Sequence, residues 1–152
     1  MPFISILTPT YNRGNLLLPL YDSLKNLTFN DFEWLIIDDG SEDDTEQYAL
    51  SWISHNIQKA EFPIRYIKKS NGGKHTAINR GVREASGELI LILDSDDTLP
   101  SDSLTTIAQY YELCKGYKDC AGVCGLMAHH DGQLIGTGFP KDPMYESALQ
   151  FR

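Results

Sequence analysis

No apolar run in these 152 residues approaches the roughly 20 that a membrane-spanning helix needs. With 41% hydrophobic residues, the chain reads as a soluble globular domain. The start, Met1-Pro-Phe-Ile-Ser5, lacks the basic segment and long apolar stretch of a signal peptide, so the expected location is cytoplasmic. Positive charge is also scarce: 13 Lys and Arg against 21 Asp and Glu leave a net charge of −8, with no basic stripe to release counterions from a nucleic acid. Nucleic-acid binding is therefore disfavoured. Cys114, Cys120 and Cys124 are odd in number and lack Cys-x-x-Cys spacing. They are expected to be small buried hydrophobes in a reducing compartment, with no disulfide framework or zinc site.

Several catalytic signatures are missing as well. There is no Gly-x-x-x-x-Gly-Lys-Ser/Thr phosphate loop and no Gly-x-Ser-x-Gly elbow. No Cys–His pairing stands out. The first strand is followed by Thr8-Pro-Thr-Tyr-Asn-Arg-Gly14 where a dinucleotide-binding fold carries Gly-x-Gly-x-x-Gly, which argues against a dehydrogenase. There is no internal repeat and no low-complexity stretch.

What is present is an alternation of strand and helix signals in a chain of one-domain length. Strands are predicted at Phe3–Leu7, Glu33–Ile37, Ile64–Lys68 and Leu89–Leu93. The last is a continuous apolar run, the mark of a parallel strand covered on both faces. Helices are predicted after Gly14, with Leu17, Leu20, Tyr21, Leu24 and Leu27 on one face and Pro19 in its first turn. A second runs from the Asp38–Thr45 segment to about His55. A third spans Lys74 to Glu84, with Ile78, Val82 and Ala85 facing the core, and a fourth starts at Pro100-Ser101, with Leu104, Ile107, Ala108 and Tyr111 inward. Ala121–Ala128 reads as a further strand, joined by an Asp131-Gly132 hairpin turn to Gln133–Gly136.

In a parallel α/β sheet, ligands collect beyond the carboxyl ends of the strands. Asp38 and Asp39 follow the second strand, and Asp94, Asp96 and Asp97 follow the fourth. Two carboxylates about 5 Å apart repel by roughly 3 kcal/mol at an effective dielectric of 20, and a hard divalent cation offsets this. One acidic turn alone reads as a solvated turn; two at equivalent strand ends point to Mg²⁺ or Mn²⁺. The Ser70-Asn-Gly-Gly-Lys74 turn opens a helix, so its N–H groups can face an anion. Lys74 in that first helical turn opposes the helix dipole unless an anion is near, and a phosphate reconciles the two. His75 reads as structural.

Thr8-Pro-Thr-Tyr-Asn-Arg13, Ile36-Ile-Asp-Asp-Gly-Ser41, Asn71-Gly-Gly-Lys-His-Thr-Ala-Ile-Asn79 and Ala85-Ser-Gly-Glu-Leu-Ile-Leu-Ile-Leu-Asp-Ser-Asp-Asp97 together resemble the successive motifs of family 2 glycosyltransferases of the GT-A fold. The resemblance spans about Pro2 to Gly138. It implies an α/β fold, a mostly parallel sheet flanked by helices, with a nucleotide-sugar-binding domain over residues 1–138 and an incomplete acceptor-side segment over 139–152. It implies a nucleoside diphosphate sugar as donor, UDP-sugar favoured, and a sugar or lipid-linked hydroxyl acceptor. It places Thr8, Pro9, Tyr11 and Arg13 by the nucleoside and Asp39 on its base or ribose. Lys74 and Asn79 would lie by the donor, with Asp94 and Ser95 in the Asp-x-Asp motif. Asp96, with Asp94 and Asp97, would hold Mn²⁺ or Mg²⁺.

The transfer would be inverting and would serve polysaccharide or glycoconjugate assembly, in the cytoplasm or on the inner face of the membrane. The general base is expected beyond Arg152, with Asp142 and Glu146 the late carboxylates within the chain. Two alternatives stand beside this: a donor-binding module without transfer activity, and a Mg²⁺-dependent phosphotransferase or phosphatase. The latter needs an Asp nucleophile just after the first strand, where Thr8-Pro9-Thr10 stands. A sheet edge left open predicts homo-oligomer formation through strand pairing.

Overall fold

The computed structural model describes residues 1–59, 61–118, 120–129 and 131–137. Four strands, β1 (Ile4–Thr10), β2 (Phe32–Asp38), β3 (Ile64–Lys68) and β4 (Leu89–Ile92), form one sheet in the order β3-β2-β1-β4. All three pairings are parallel. Every carboxyl end therefore lies on one edge. The register runs Ile6 beside Trp34 and Leu91, and Asp38 beside Lys68.

Four helices alternate with the strands: α1 (Gly14–Lys25), α2 (Thr45–Lys59), α3 (Lys74–Glu84) and α4 (Ser103–Cys114). One face of the sheet presents Ile4, Ile6, Phe32, Trp34, Ile36 and Ile64, and packs against Leu17, Leu20, Tyr21 and Leu24 of α1, Ala49 and Trp52 of α2, and Leu104 of α4. Tyr21 and Trp52 stack at 4.8 Å between ring centres. The other face presents Leu7, Leu35 and Ile37 to α3. All seven residues of β1 and of β2 are buried, as two-sided cover requires.

The expectation of full cover fails at β4. Ile90 and Ile92 are exposed, because α3 packs over β1 and β2 and no described element covers the same face of the edge strand. The inward face of α3 also differs from its apolar spacing. Ala77 and Gly81 are buried while Val82 is exposed, since the helix lies so close to β1 that a Cβ on Gly81 would fall 2.1 Å from Leu7 Cδ1. Pro19 sits in the second turn of α1, not the first, on the solvent side, where water can satisfy the carbonyl left without its N–H.

After α4, residues 121–127 form no strand; one antiparallel bridge, Ala128 to Leu134, closes the Asp131-Gly132 turn. Cys114 and Cys120 are paired as a disulfide, with Cα atoms 5.8 Å apart, and Cys124 is exposed, so the reading of three free buried cysteines is corrected. The segment 139–152, with Asp142 and Glu146, lies outside the described residues. Among those described, no helix is long and apolar enough to cross a membrane.

Candidate functional site

The loops beyond the four carboxyl ends are tied to one another. After β1, the N–H of Asp39 donates to the Thr10 carbonyl at 2.9 Å. Asn12 adopts a left-handed conformation (φ 51°), which Asn tolerates better than most residues. Its own N–H donates to Ser41 Oγ at 2.8 Å, and its Oδ1 accepts the Glu42 N–H at 2.8 Å. Asp43 takes the N–H of Gly14 on one oxygen and that of Thr45 on the other, both at 3.1 Å, and so ties the start of α1 to the start of α2. Burial alone would raise the Asp43 carboxyl. These N–H groups and the Thr45 hydroxyl outweigh it, and the carboxyl titrates below its usual range.

Asp39 ties the loop after β2 to the loop after β3. Its buried carboxylate accepts from Lys69 Nζ, from the Gly72 N–H at 3.1 Å and from the Gly73 N–H at 2.6 Å. Here too burial raises the carboxyl, and the hydrogen bonds from Lys69, Gly72 and Gly73 outweigh it and leave the pKa lowered. The N–H groups that the sequence directs toward an anion thus find one inside the protein. Gly40 makes this approach possible. Its φ is 89°, and a Cβ there would lie 3.0 Å from the Asn71 nitrogen. Asp38 is buried and receives the Ser41 N–H at 2.7 Å and the Tyr66 hydroxyl; burial and that carboxylate push the Tyr66 phenol up.

The fourth loop folds Asp94, Ser95, Asp96 and Asp97 into a turn closed by the Asp97 N–H on the Asp94 carbonyl at 3.1 Å. Lys74 Nζ lies 2.7 Å from Asp94 Oδ2, and Arg13 lies 3.2 Å from Asp96 Oδ2 and 3.4 Å from Ser95 Oγ. Burial, and then the charges of Asp94 and Asp96, push the Asp97 carboxyl up. The donor set is all oxygen and its negative charge is incompletely balanced, which fits a hard divalent cation. Among the described residues, no three His, Cys, Asp or Glu side chains are already grouped as a metal site.

The structure thus brings Arg13, Asp39, Lys74, Asp94, Ser95, Asp96 and Asp97 to one edge. Tyr11 is there too, half-exposed. Thr8 is placed differently. It is fully buried, its hydroxyl accepts the Trp34 indole N–H at 3.0 Å, and its side chain faces the core. Pro9 is buried within β1. Asn79 is exposed on α3, about 140° around the helix from Lys74, and so stands apart from the carboxylates.

The residues that sequence reasoning missed are Lys69 and Thr10. Lys69 was legible in principle, because parallel register sets Lys68-Lys69 beside Asp38-Asp39. Thr10 Oγ1, at the carboxyl end of β1, is buried with no hydrogen-bond partner among the described residues. Two open depressions, one lined by Phe3, Asp31 and Gly87 and one by Asn56, Phe62 and Pro63, lie away from these loops.

Comparison with known proteins follows the same outline. The profile of the family described as "Glycosyl transferase family 2" matches residues 5–132. The GalNAc(5)-diNAcBac-PP-undecaprenol beta-1,3-glucosyltransferase of Campylobacter jejuni is 35% identical over 148 residues, covering 93% of this chain and 45% of that protein. The chondroitin synthase of Pasteurella multocida is 34% identical over 145 residues, covering 91% of this chain and 14% of its own length.

Among solved structures, S. aureus TarS 1–349 in complex with UDP-GlcNAc superposes with a TM-score of 0.63 at 28% identity, covering 74% of this chain and 32% of that one. The mannosyltransferase PcManGT from Pyrobaculum calidifontis, in complex with GDP-Man and Mn²⁺, superposes with a TM-score of 0.66 at 24% identity, over 72% and 32% of the two chains. The latter likeness is one of fold. The chain spans less than half the length of each of these relatives.

Proposed function

The chain belongs to glycosyl transferase family 2, and from that premise we propose that its carboxyl-edge loops bind a nucleoside diphosphate sugar through a divalent cation. The whole protein would then transfer the sugar to a hydroxyl acceptor. The observation that carries this is the meeting of Asp94, Asp96 and Asp97 with Arg13 and Lys74 at one edge of a parallel sheet. Carboxylates there suit Mg²⁺ or Mn²⁺; a guanidinium and an ammonium beside them suit phosphate oxygens. When bound, the cation would neutralise charge developing on the departing diphosphate. Asp96 and Asp94 would hold it, with Asp97 beside them. Tyr11, half-exposed at this edge, would meet the nucleoside, while Asp39 and Lys69 shape the adjoining turn.

A UDP-sugar is the favoured donor, supported by the complexes of S. aureus TarS with UDP and UDP-GlcNAc. A lipid-linked sugar is the favoured acceptor class, in keeping with the undecaprenol-linked substrate in the name of the C. jejuni relative. For the 152 residues themselves the proposal is donor binding.

Calorimetric titration of UDP and of GDP into the chain, with and without Mn²⁺, tests it. Metal-dependent binding that is lost in Asp96→Asn and kept in Glu88→Gln is the expected result. Binding indifferent to both Mn²⁺ and Asp96 would overturn it.

A further inference from the structure

Arg13 and Lys74 each rest on a different carboxylate of the Asp94–Asp97 turn, the first on Asp96 and the second on Asp94. Neither placement is accidental to its local structure. Arg13 is held between two fixed neighbours: Asn12, pinned by Ser41 and Glu42, and Gly14, whose N–H is bound by Asp43. This aims its guanidinium across the site at a residue 83 positions along the chain. Lys74 stands in the first turn of α3, where the helix dipole disfavours a cation, and the Asp94 carboxylate offsets that cost in the donor-free chain.

A carboxylate oxygen covered by a guanidinium or ammonium is not free to ligate a metal. Both pairs are about half exposed, and such pairs shift an equilibrium by no more than about fivefold, so they are easily exchanged.

We propose that Arg13 and Lys74 are exchangeable counter-ions: without donor they occupy Asp96 and Asp94, and with donor they move to the diphosphate, releasing both carboxylates to the divalent cation. The exchange rests on the donor-binding reading above and adds an order to it. The cation alone must compete with two resident positive charges; the cation with a diphosphate need not. Metal and nucleotide therefore bind with positive coupling, each raising the affinity for the other by the same factor.

The test is a titration of free Mn²⁺, followed by electron paramagnetic resonance, into the wild type, Arg13→Gln, Lys74→Gln, the conservative Arg13→Lys, and Lys115→Gln. The last loses a charge from an ion pair at the C-terminal end of α4, away from these loops. Each titration is repeated with UDP present. Arg13→Gln and Lys74→Gln should bind Mn²⁺ alone about two- to fivefold more tightly than wild type and bind UDP with Mn²⁺ more weakly. Arg13→Lys should return toward wild type, and Lys115→Gln should match it. Failure of both Gln variants to bind Mn²⁺ alone more tightly than Lys115→Gln, while the wild type still binds UDP with Mn²⁺, overturns the exchange and leaves the donor-binding reading standing. A wild type that binds neither UDP nor GDP with Mn²⁺ overturns both.

Discussion

Replacing Asp39 with alanine removes a buried side chain that ties the end of β2 to the turn before α3. Its carboxylate accepts from Lys69 Nζ and from two backbone N–H groups, and it is almost wholly buried. Hydrogen bonds to a charged acceptor are worth about 1.5–3 kcal/mol each, and breaking one side of a buried ion pair costs about 3–5 kcal/mol. The lower part of that range applies, because the partners are not stranded. Lys69 keeps the Ser70 carbonyl at 2.6 Å and Thr76 Oγ1 at 2.8 Å, and Gly72 is exposed enough for water to reach its N–H.

The expected loss for Asp39→Ala is about 2–4 kcal/mol in urea unfolding at neutral pH, with an unchanged denaturant slope. Asp39→Asn, which keeps the shape and one acceptor oxygen, should lose about half as much. Amide exchange adds a local readout. Gly72 and Gly73 should lose protection in both variants by more than the global loss accounts for, since their N–H groups point at the removed carboxylate. A loss below about 1 kcal/mol in Asp39→Ala, or unchanged Gly73 exchange, would refute the assignment of Asp39 as the tie.

Two further outcomes follow from the packing and the charges. Gly81→Ala should lower stability by about 1–3 kcal/mol, read as a lowered Tm, because its Cβ cannot share space with Leu7 Cδ1 unless α3 lifts from β1; an unchanged Tm would show that contact to be soft. At the opposite edge, burial raises the Glu33 carboxyl, but hydrogen bonds from Ser5 Oγ (2.6 Å), the Ser86 N–H (2.9 Å) and Arg65 outweigh it, so Glu33, Asp39 and Asp43 all titrate below their usual range. The unfolded chain then binds more protons than the folded one as pH falls below about 4.5, so the stability these groups provide is complete above that pH and lost through the folded-state pKa values below it. Urea unfolding from pH 7 to pH 3 should show this fall, and Glu33→Gln should flatten it; a fall of equal steepness in Glu33→Gln would exclude Glu33 as a contributor.

The sheet and its acidic carboxyl edge were legible in the chain because each rests on a strong local pattern. The apolar runs at Ile4–Leu7, Trp34–Ile37 and Leu89–Leu93 carry the strands, and the acidic ends at Asp38-Asp39 and Asp94–Asp97 carry the site. The family resemblance set Arg13 by the nucleoside, Lys74 by the donor and the acidic turn on the metal; the structure brings the Arg13 and Lys74 side chains into contact with that turn. What was not legible depends on distance in space. Thr8 looks like a loop residue in sequence, but its hydroxyl is claimed by Trp34 from the neighbouring strand.

The apolar spacing of α3 pointed to Val82, whereas close approach to β1 selects Gly81, where the absence of a side chain is the packing feature. Ile90 and Ile92 read as fully buried, yet cover depends on which strand a helix crosses, and α3 crosses β1 and β2. The destination of the Gly72 and Gly73 N–H groups likewise required knowing that Asp39 lies beside them.

On the proposed function, metal and nucleotide meet at the carboxyl edge of the sheet. Paramagnetic broadening in the nitrogen-15-labelled chain, with Mn²⁺ added in the presence of UDP, reads that location directly. The amides of Arg13, Lys74 and Asp94 to Asp97 should broaden first, while those of Ser86 and Gly87, about 20 Å away along β4, stay sharp. Broadening centred on the opposite edge, or none at Asp94 to Asp97, would contradict it.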